Sequence, residues 1–359
     1  MMNLENKFKN KKIIVTGHTG FKGSWLTYWL LSFGAKVIGI SKDIPTKPSN
    51  YEALNLKKKC IDLRLDITNL KNIKKLILNK KPDYIFHLAA QSLVNKSYNF
   101  PVETFKTNSM GTLNILESLR SLKKKCTVVI ITSDKSYKNI EIERGYKEDD
   151  ILGGDDPYSA SKGSAEIIIQ SYLKSYFQKQ NKILIGIARA GNVIGGGDWS
   201  ENRLIPDCMK SWSKNKRVII RNPKSTRPWQ HVLEALGGYL IFAVKLNSNK
   251  KLHGQIFNFG PSSHKEHEVI KLVKYIKKFW NKFEWKIVNK KNTFHESKLL
   301  KLNCNKAKKI LKWKSVLNFN EMIGMVTKWY KCFYTNKKEI EKLSTVQIKT
   351  YQKILNNRL

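Results

Sequence analysis

Short β-branched runs alternate with longer helical stretches along the first half of the chain. The pattern predicts strands over residues 12–15, 36–40, 83–88, 128–132 and 183–188. It predicts helices between them over residues 23–33, 70–79 and 102–122. Because apolar runs that alternate with helices are typical of a parallel sheet covered on both faces, we expect an α/β fold with a doubly wound sheet.

The pattern changes after about residue 190. Glycines at 195–197 and the prolines Pro206, Pro223 and Pro228 interrupt it, as is common in loops that contact ligands. A further strand is predicted over residues 255–259, and the Lys-rich tail over 337–359 predicts one amphipathic helix. We therefore expect a first domain over residues 1–190 and a smaller α/β domain over 191–359, interlocked with the first.

Composition narrows the class of protein. Apolar residues make up 41% of the chain, which suits a packed core. Nowhere does the sequence reach the roughly 18 consecutive apolar residues of a membrane span, and the apolar stretch 13–15 is too short for a signal-peptide core. The five cysteines are scattered without C-x-x-C or His-rich metal spacing, so we expect free thiols, no metal site and a cytoplasmic protein.

The formal net charge of +39 raises a nucleic-acid hypothesis. Most of the basic residues are Lys, whereas bidentate readers of phosphate and guanine favour Arg. They also run along the whole chain beside abundant Asn and Ile, as an AT-rich coding bias would produce. A solvated surface is therefore favoured over a nucleic-acid site, although its field would attract an anionic substrate.

Three glycines follow the first predicted strand at G-x-x-G-x-x-G spacing. Glycine permits a tight turn and a close backbone approach to a pyrophosphate, and the helix that follows offers free N–H groups at its N-terminus. This strand–turn–helix context predicts a dinucleotide site in a Rossmann-type sheet. The loop residues expected to bind the cofactor are Gly17, Thr19, Gly20, Phe21, Lys22 and Gly23.

The end of the second predicted strand leaves the choice between NAD and NADP open. It carries Ser41 and Lys42 where a ribose-binding acid is usual, and Asp43 comes slightly late. A hydroxyl and a Lys at this place would also suit a 2′-phosphate. Further along, Asp66 and Ile67 either flank the adenine or belong to the N-cap of the next helix.

Tyr158 and Lys162 are the strongest candidates for catalysis. Residues i and i+4 share one face of a helix, so the ammonium of Lys162 would lie near the phenol of Tyr158. A nearby cation favours the phenolate, which makes Tyr158 a candidate general base toward a hydroxyl. The residues Ser133, Asp134 and Lys135 follow the strand predicted over 128–132, where ligands gather in this fold, although an Asx-capped loop start would also explain them.

Six stretches carry a family resemblance, and they are TGHTGFKG (16–23), HLAAQ (87–91), DPYSASK (156–162), ARAGNVIGGGDW (188–199), RLIP (203–206) and TRPWQHV (226–232). The chain resembles the extended short-chain dehydrogenases/reductases, in the NAD-dependent epimerase/dehydratase family. Within them it is similar to the CDP-glucose 4,6-dehydratase group. The last three stretches separate this group from sugar epimerases and dTDP-glucose dehydratases.

The resemblance implies a lyase that converts CDP-glucose to CDP-4-keto-6-deoxyglucose and water with bound NAD, in deoxysugar and lipopolysaccharide biosynthesis. Tyr158, assisted by Ser133 and Lys162, would take the proton of the 4-hydroxyl while hydride passes to NAD⁺. Asp134 would protonate the leaving 6-oxygen, and hydride would return to carbon 6. Lys135 stands where other dehydratases carry the Glu that removes the carbon-5 proton, so the identity of this base stays open.

The resemblance extends to further cofactor and substrate contacts. Near the cofactor it places Leu88, Ala89, Ala90 and Asn108, with Gly111 and Thr112 nearby, although a Gly-Thr helix start would explain the last two. Near the nucleotide sugar it places Gln91, Asn192, Arg203, Leu204, Arg221, Arg227 and His231; a surface salt bridge is the alternative for Arg221 and, less so, for Arg227.

Two alternatives to this dehydratase remain at this point. The first is a nucleotide-sugar 4-epimerase, or a dehydratase of another nucleoside diphosphate hexose. The second is not an enzyme but an idle nucleic-acid or anion-binding module driven by the charge, which would bind with steep salt dependence. The helices over 110–122 and 158–176 are apolar enough to pair with copies of themselves, and related enzymes dimerise this way, so a homodimer or homotetramer is expected.

Overall fold

The computed structural model describes residues 3–220, 222–261, 267–280, 284–288 and 300–358. The strands in these ranges are β1 (Lys12–Thr16), β2 (Lys36–Ser41), β3 (Ile61–Arg64), β4 (Tyr84–His87), β5 (Cys126–Ile131), β6 (Ile183–Ala190), β7 (Val193–Ile194), β8 (Val218–Ile220), β9 (Thr226–Arg227), β10 (Gln230–His231), β11 (Ile256–Phe259), β12 (His267–Glu268) and β13 (Trp285–Ile287).

The α-helices in the same ranges are α1 (Leu4–Phe8), α2 (Phe21–Ser32), α3 (Asn50–Ala53), α4 (Leu70–Lys80), α5 (Val94–Asn99), α6 (Pro101–Phe105), α7 (Gly111–Arg120), α8 (Pro157–Tyr172), α9 (Leu204–Ser213), α10 (Val232–Ser248), α11 (Val269–Lys277), α12 (Phe319–Thr335) and α13 (Ile340–Arg358). Short 3₁₀ or π turns occur at Leu56–Lys58, Lys106–Met110, Asp134–Ser136, Leu173–Phe177, Lys250–Leu252, Ala307–Leu311 and Lys337–Glu339.

Seven parallel strands form the central sheet in the order β11-β6-β5-β4-β1-β2-β3. Neighbouring residues of one strand enter different cores, because successive side chains point to opposite faces. Ile13 packs with α2 and α10, whereas Ile14 packs with α4 and α7. Every residue of β5 and β6 is buried, as expected for strands covered on both faces. The α/β, doubly wound prediction is confirmed.

The second half of the chain returns to this sheet. Strand β11 pairs with β6 in parallel, and α10 packs on β5 and β6. A segment of the expected second domain therefore completes the sheet of the first. The boundary at residue 190 stays a prediction.

One predicted helix contains a π turn, and another helix was missed. The helix predicted over 102–122 is present from Pro101 to Arg120 as α6, a π turn and α7 in unbroken succession. Gly111, at the start of α7, makes room for Ile67; a Cβ on Gly111 would lie 2.4 Å from the Ile67 Cδ1 atom. Helix α10 was not predicted at all, because most of its residues are buried and no polar stripe marks a period of 3.6. The predicted tail helix is present as α13 after one 3₁₀ turn.

Within the described part of the chain, no helix is both long and apolar enough to cross a membrane. All five cysteines are free thiols.

Candidate active site

The glycine loop between β1 and α2 forms a cradle that side chains would fill. Gly17 has φ +74°, and a Cβ on it would lie 2.8 Å from the Ala89 nitrogen. A Cβ on Gly23 would lie 2.0 Å from the Gly17 oxygen. Gly20 caps α2 without a side-chain hydrogen bond, so the first N–H groups of the helix face the loop without a side-chain partner there. This arrangement fits the pyrophosphate of a dinucleotide.

Replacing Gly17 with alanine should weaken dinucleotide binding by more than about tenfold, because both the positive φ and the contact with Ala89 penalise a side chain. The matched control is Gly163→Ala in α8, where a Cβ meets its nearest atom at 3.4 Å. Titration of each apoprotein with NAD, followed by calorimetry, checks this expectation. Equal affinities for the two variants would contradict the cradle.

The end of β4 is fixed against this loop by a chain of buried hydroxyl and imidazole groups. The Thr16 hydroxyl accepts from the N–H groups of Leu88 and Ala89, each at 3.1 Å, and therefore donates to His87 Nδ1 at 2.7 Å. His87 Nε2 then donates to the Thr112 hydroxyl at 3.1 Å. Burial lowers the pKa of His87 to about 3, so the ring is neutral.

Asn108 joins the segment after β4 to α8, the helix that carries Tyr158 and Lys162. Its side chain accepts from the Gln91 N–H at 2.8 Å and donates to the Gln91 oxygen at 3.0 Å. The same amide nitrogen donates to the Ser161 hydroxyl at 2.9 Å, between Tyr158 and Lys162 in sequence. The predicted cofactor residues around Leu88 are thus held at one end of the parallel sheet beside α8.

Ser41, at the end of β2 where a ribose-binding residue is usual, bonds residues of the glycine loop. Its hydroxyl accepts from the Thr19 N–H at 3.3 Å and bonds His18 Nδ1 at 2.9 Å. Asp66 accepts from the Thr68 N–H at 2.9 Å, and the N-cap of α4 is Asn69 rather than Asp66. An adenine contact by Asp66 and Ile67 stays a prediction.

Tyr158 and Lys162 lie on successive turns of α8, whose N-cap is Asp156. Both side chains are buried. Burial raises the pKa of Tyr158 to about 12. The hydrogen bond with Ser133 favours the phenolate and therefore opposes this shift. Burial, together with the charge of Lys22, lowers the pKa of Lys162 to about 8. Ser133 and Tyr158 are hydrogen-bonded, and Lys162 lies one helical turn beyond Tyr158; a joint catalytic role for the three residues stays a prediction.

Asp134 lies directly beside this group. Its carboxylate accepts from the Ser133 hydroxyl at 2.8 Å, and burial raises its pKa although Lys135 and Lys22 oppose the shift. A Cβ on Gly191 would lie 3.3 Å from Asp134 Oδ2, so the ends of β5 and β6 meet here. A buried carboxyl group with a raised pKa is suited to donate a proton.

Lys22 and Arg203 bring two more cations to the same place. Burial and Arg203 lower the pKa of Lys22 to about 8, and the charge of Asp134 opposes them. Arg203 binds Asp198 at 3.0 Å and favours the phenolate of Tyr158. The sequence prediction gave Lys22 to the cofactor alone. Spacing in the sequence does not mark this second position, because it depends on how α2 packs against the turn after β5.

The remaining predicted substrate residues lie in different surroundings. Asn192 is exposed just after β6, and Leu204 begins α9 half-buried. The amide of Gln91 bonds the Leu93 backbone at 2.6 and 2.9 Å and donates to the Thr104 hydroxyl on α6 at 3.1 Å. His231 is buried as the N-cap of α10, and burial lowers its pKa to about 3. Substrate contacts by these four residues stay predictions.

The side chains of two arginines predicted to bind the substrate lie outside the described part of the structure. Arg221 lies outside the described residues. Arg227 belongs to β9, whose backbone pairs with β12, and its side chain lies outside the described part. Both contacts stay predictions.

A family model described as GDP-mannose 4,6 dehydratase matches residues 14–326. The chain belongs to this family of extended short-chain dehydrogenases/reductases. Over 333 residues it is 42% identical to a CDP-glucose 4,6-dehydratase from Salmonella typhimurium, covering 92% of this chain and 93% of that protein. It is 25% identical over 338 residues to a UDP-glucose 4-epimerase from Mycoplasma pneumoniae, covering 90% and 97%.

Solved structures agree on the fold. An epimerase from Methanothermobacter thermautotrophicus has a TM-score of 0.80 at 23% identity, covering 94% of this chain and 97% of its own. A UDP-glucuronic acid 4-epimerase from Bacillus cereus, solved with UDP-glucuronic acid and NAD, has a TM-score of 0.76 at 23% identity and covers 90% and 100%. The predicted membership of the extended short-chain dehydrogenases/reductases is confirmed.

Proposed function

We propose that this protein is a nucleotide-sugar 4,6-dehydratase, a hydro-lyase that converts CDP-glucose to CDP-4-keto-6-deoxyglucose and water. The observation that carries the proposal is the buried Asp134 beside the Ser133–Tyr158 pair. An acid at this place has a use in expelling the 6-hydroxyl, whereas a 4-epimerase needs none. The similarity to the Salmonella enzyme supports CDP-glucose as the substrate.

Tyr158 takes the proton of the sugar 4-hydroxyl, and the Ser133 hydroxyl orients this exchange through its hydrogen bond to Tyr158. The Lys162 ammonium stabilises the phenolate on the same face of α8. The resulting 4-ketone acidifies the carbon-5 proton. Lys135, next to Asp134, is the proposed base for that proton, and Asp134 donates its own proton to the 6-oxygen, which leaves as water.

We propose NAD as the cofactor, bound by the glycine cradle with Leu88 to Ala90 beside it. When bound, it accepts the two electrons removed at carbon 4 and returns them at carbon 6. The reaction is therefore redox-neutral overall. A cytoplasmic location fits the five free thiols, and the product would feed deoxysugars of lipopolysaccharide or other surface polysaccharides.

The rate should fall as pH rises through about 8, because Lys162 then loses the positive charge that stabilises the Tyr158 phenolate. Asp134, whose pKa is raised, also loses the proton that it must donate when the pH rises. Lys22→Met should move this alkaline limb to higher pH, since the Lys22 charge lowers the pKa of both groups. Profiles of kcat against pH for both proteins check the shift, and an unmoved limb would contradict it.

The outer face of α6, the following π turn and α8 is the proposed contact with a second copy of the chain. Val102 and Ile167 are 79% and 61% exposed there, beside the apolar side chains of Phe105, Met110 and Ile168. An exposed apolar patch of this kind is typical of a protein–protein interface. We propose a homodimer, or a tetramer built from it.

Ile167→Glu should convert this oligomer to monomer, because it would place a carboxylate in a largely apolar interface. The matched control is Ile219→Glu, which alters a side chain of similar exposure, 62%, on β8. Light scattering coupled to gel filtration measures both masses. A mass unchanged by Ile167→Glu would place any oligomer contact elsewhere.

The substrate proposal is tested by incubating the purified protein with CDP-, dTDP-, UDP- and GDP-glucose side by side. We expect the alkali-induced ultraviolet band of a 4-keto-6-deoxy sugar from CDP-glucose, without net reduction of NAD. Inversion at carbon 4 without a keto product would make the protein an epimerase. Faster conversion of another nucleotide sugar would replace CDP-glucose as the proposed substrate.

A further inference from the structure

A buried ion pair lies behind the catalytic residues. Glu166 and Arg189 are 0% and 1% exposed. Arg189 Nε donates to both carboxylate oxygens of Glu166, at 2.8 and 3.0 Å, and a second guanidinium nitrogen contacts the same carboxylate. The Thr132 hydroxyl donates to Glu166 Oε1 at 2.7 Å. One carboxylate thus joins three segments of the chain.

Each of these segments carries catalytic or candidate substrate residues. Glu166 lies one turn beyond Lys162 and two beyond Tyr158 on the same face of α8. Thr132 directly precedes Ser133 in sequence. Arg189 is near the end of β6, which leads to Gly191 beside Asp134. The pair therefore connects the helix of the base to the turn of the acid.

The guanidinium of Arg189 is held on its other sides as well. One nitrogen donates to the Glu148 oxygen at 3.0 Å, and the group lies over the Tyr137 ring at 4.4 Å. The Tyr137 hydroxyl in turn donates to Asn258 on β11 at 2.8 Å. The planar fork of Arg fits this set of directed contacts, and Lys has no equivalent of it.

We propose that Glu166, Arg189 and Thr132 are positioning residues for the dehydratase reaction: they set the Ser133–Asp134 turn at the distance from Tyr158 and Lys162 that proton transfer requires. The inference rests on the proposed function. A buried ion pair adds little net stability compared with well-packed apolar residues. Catalytic groups, however, must be held within about 0.5 Å, and a 1 Å displacement can lower a rate about a hundredfold.

Thr132→Val tests this with the smallest change, because it removes one hydroxyl and keeps the shape of the side chain. We expect kcat to fall about tenfold while KM for the sugar nucleotide stays within about twofold, since the displaced turn affects proton transfer more than binding. Thr132→Ser keeps the hydroxyl and should recover most of the lost kcat. A kcat for Thr132→Val near the wild-type value, or equal losses in both variants, overturns the inference.

A second variant decides the question if Thr132→Val is too unstable to assay. Glu166→Gln combined with Arg189→Met removes both charges of the pair together, so that neither partner is left buried with its charge unpaired. A folded double variant with lowered kcat at unchanged KM supports the inference, and wild-type kcat overturns it. All rates are measured with whichever nucleoside diphosphate glucose the wild type converts, so an error in the proposed substrate appears in the wild type alone.

Discussion

Tyr158→Phe should lower kcat by about three orders of magnitude, because it removes the only group proposed to take the proton of the 4-hydroxyl. The aromatic ring is kept, so KM should change little. The buried Tyr158 hydroxyl bonds Ser133. Steady-state rates of 4-keto sugar formation measure the loss.

Tyr172→Phe is the matched control for this substitution. Tyr172 is also on α8, but its hydroxyl donates to Glu117 at 3.1 Å, away from the catalytic turn. It should keep kcat within about twofold, because the lost hydroxyl bonds Glu117 and not a proposed catalytic residue. A Tyr158→Phe variant as active as Tyr172→Phe would remove Tyr158 from the chemistry.

Asp134→Asn should lower product formation by about a hundredfold or more, yet leave exchange at carbon 5 in place. The amide keeps the shape and can keep the Ser133 hydrogen bond, but it has no proton to give to the 6-oxygen. Oxidation at carbon 4 and removal of the carbon-5 proton then reverse without loss of water. In D₂O, proton NMR should show deuterium entering carbon 5 of unconverted CDP-glucose.

Lys135→Met supplies the comparison, because it removes the proposed base and leaves the acid. It should abolish both exchange and product. If Asp134→Asn also stops the exchange, Asp134 acts on the carbon-5 proton and our division of roles is wrong. If Lys135→Met keeps the exchange, the base is another group, and Lys22, which lies beside Asp134, is the first to test.

The sheet could be predicted because its strands are buried on both faces. The apolar runs of β1, β2, β4, β5, β6 and β11 stand out from the helices between them. Strand β3 was not predicted, because it is an edge strand with an exposed Ile61 and the charged Asp62 and Arg64. Helix α10 was not predicted for the opposite reason. It is buried on nearly every side, so its sequence shows no alternation of apolar and polar residues at the helical period.

The positions of the proposed catalytic residues could be predicted where these residues are close in sequence. Tyr158 and Lys162 share a helix face, and Ser133 to Lys135 follow one strand. The partners that hold them come from distant segments. Glu166 meets Arg189 and Thr132 only after β5, β6 and α8 have assembled, and spacing in the sequence cannot show this. The second position of Lys22, beside Asp134, depends on tertiary packing in the same way.

The charge of +39 has a local counterpart in the site. Lys22, Lys162 and Arg203 converge around Asp134 and Tyr158. Such a cluster would attract the diphosphate of a nucleotide sugar. These cations lie beside Ser133 and Tyr158, the residues to which we assign the chemistry, so a small anionic substrate would be drawn to the proposed site.

The central claim is that a temporary oxidation at carbon 4 drives the loss of water from carbons 5 and 6. Conversion of CDP-glucose labelled with deuterium at carbon 4 tests it most directly. We predict a 4-keto-6-deoxy product that carries the deuterium at carbon 6, as seen by mass spectrometry and NMR. A product with the label still at an inverted carbon 4, or a 6-deoxy product without label, would contradict the account.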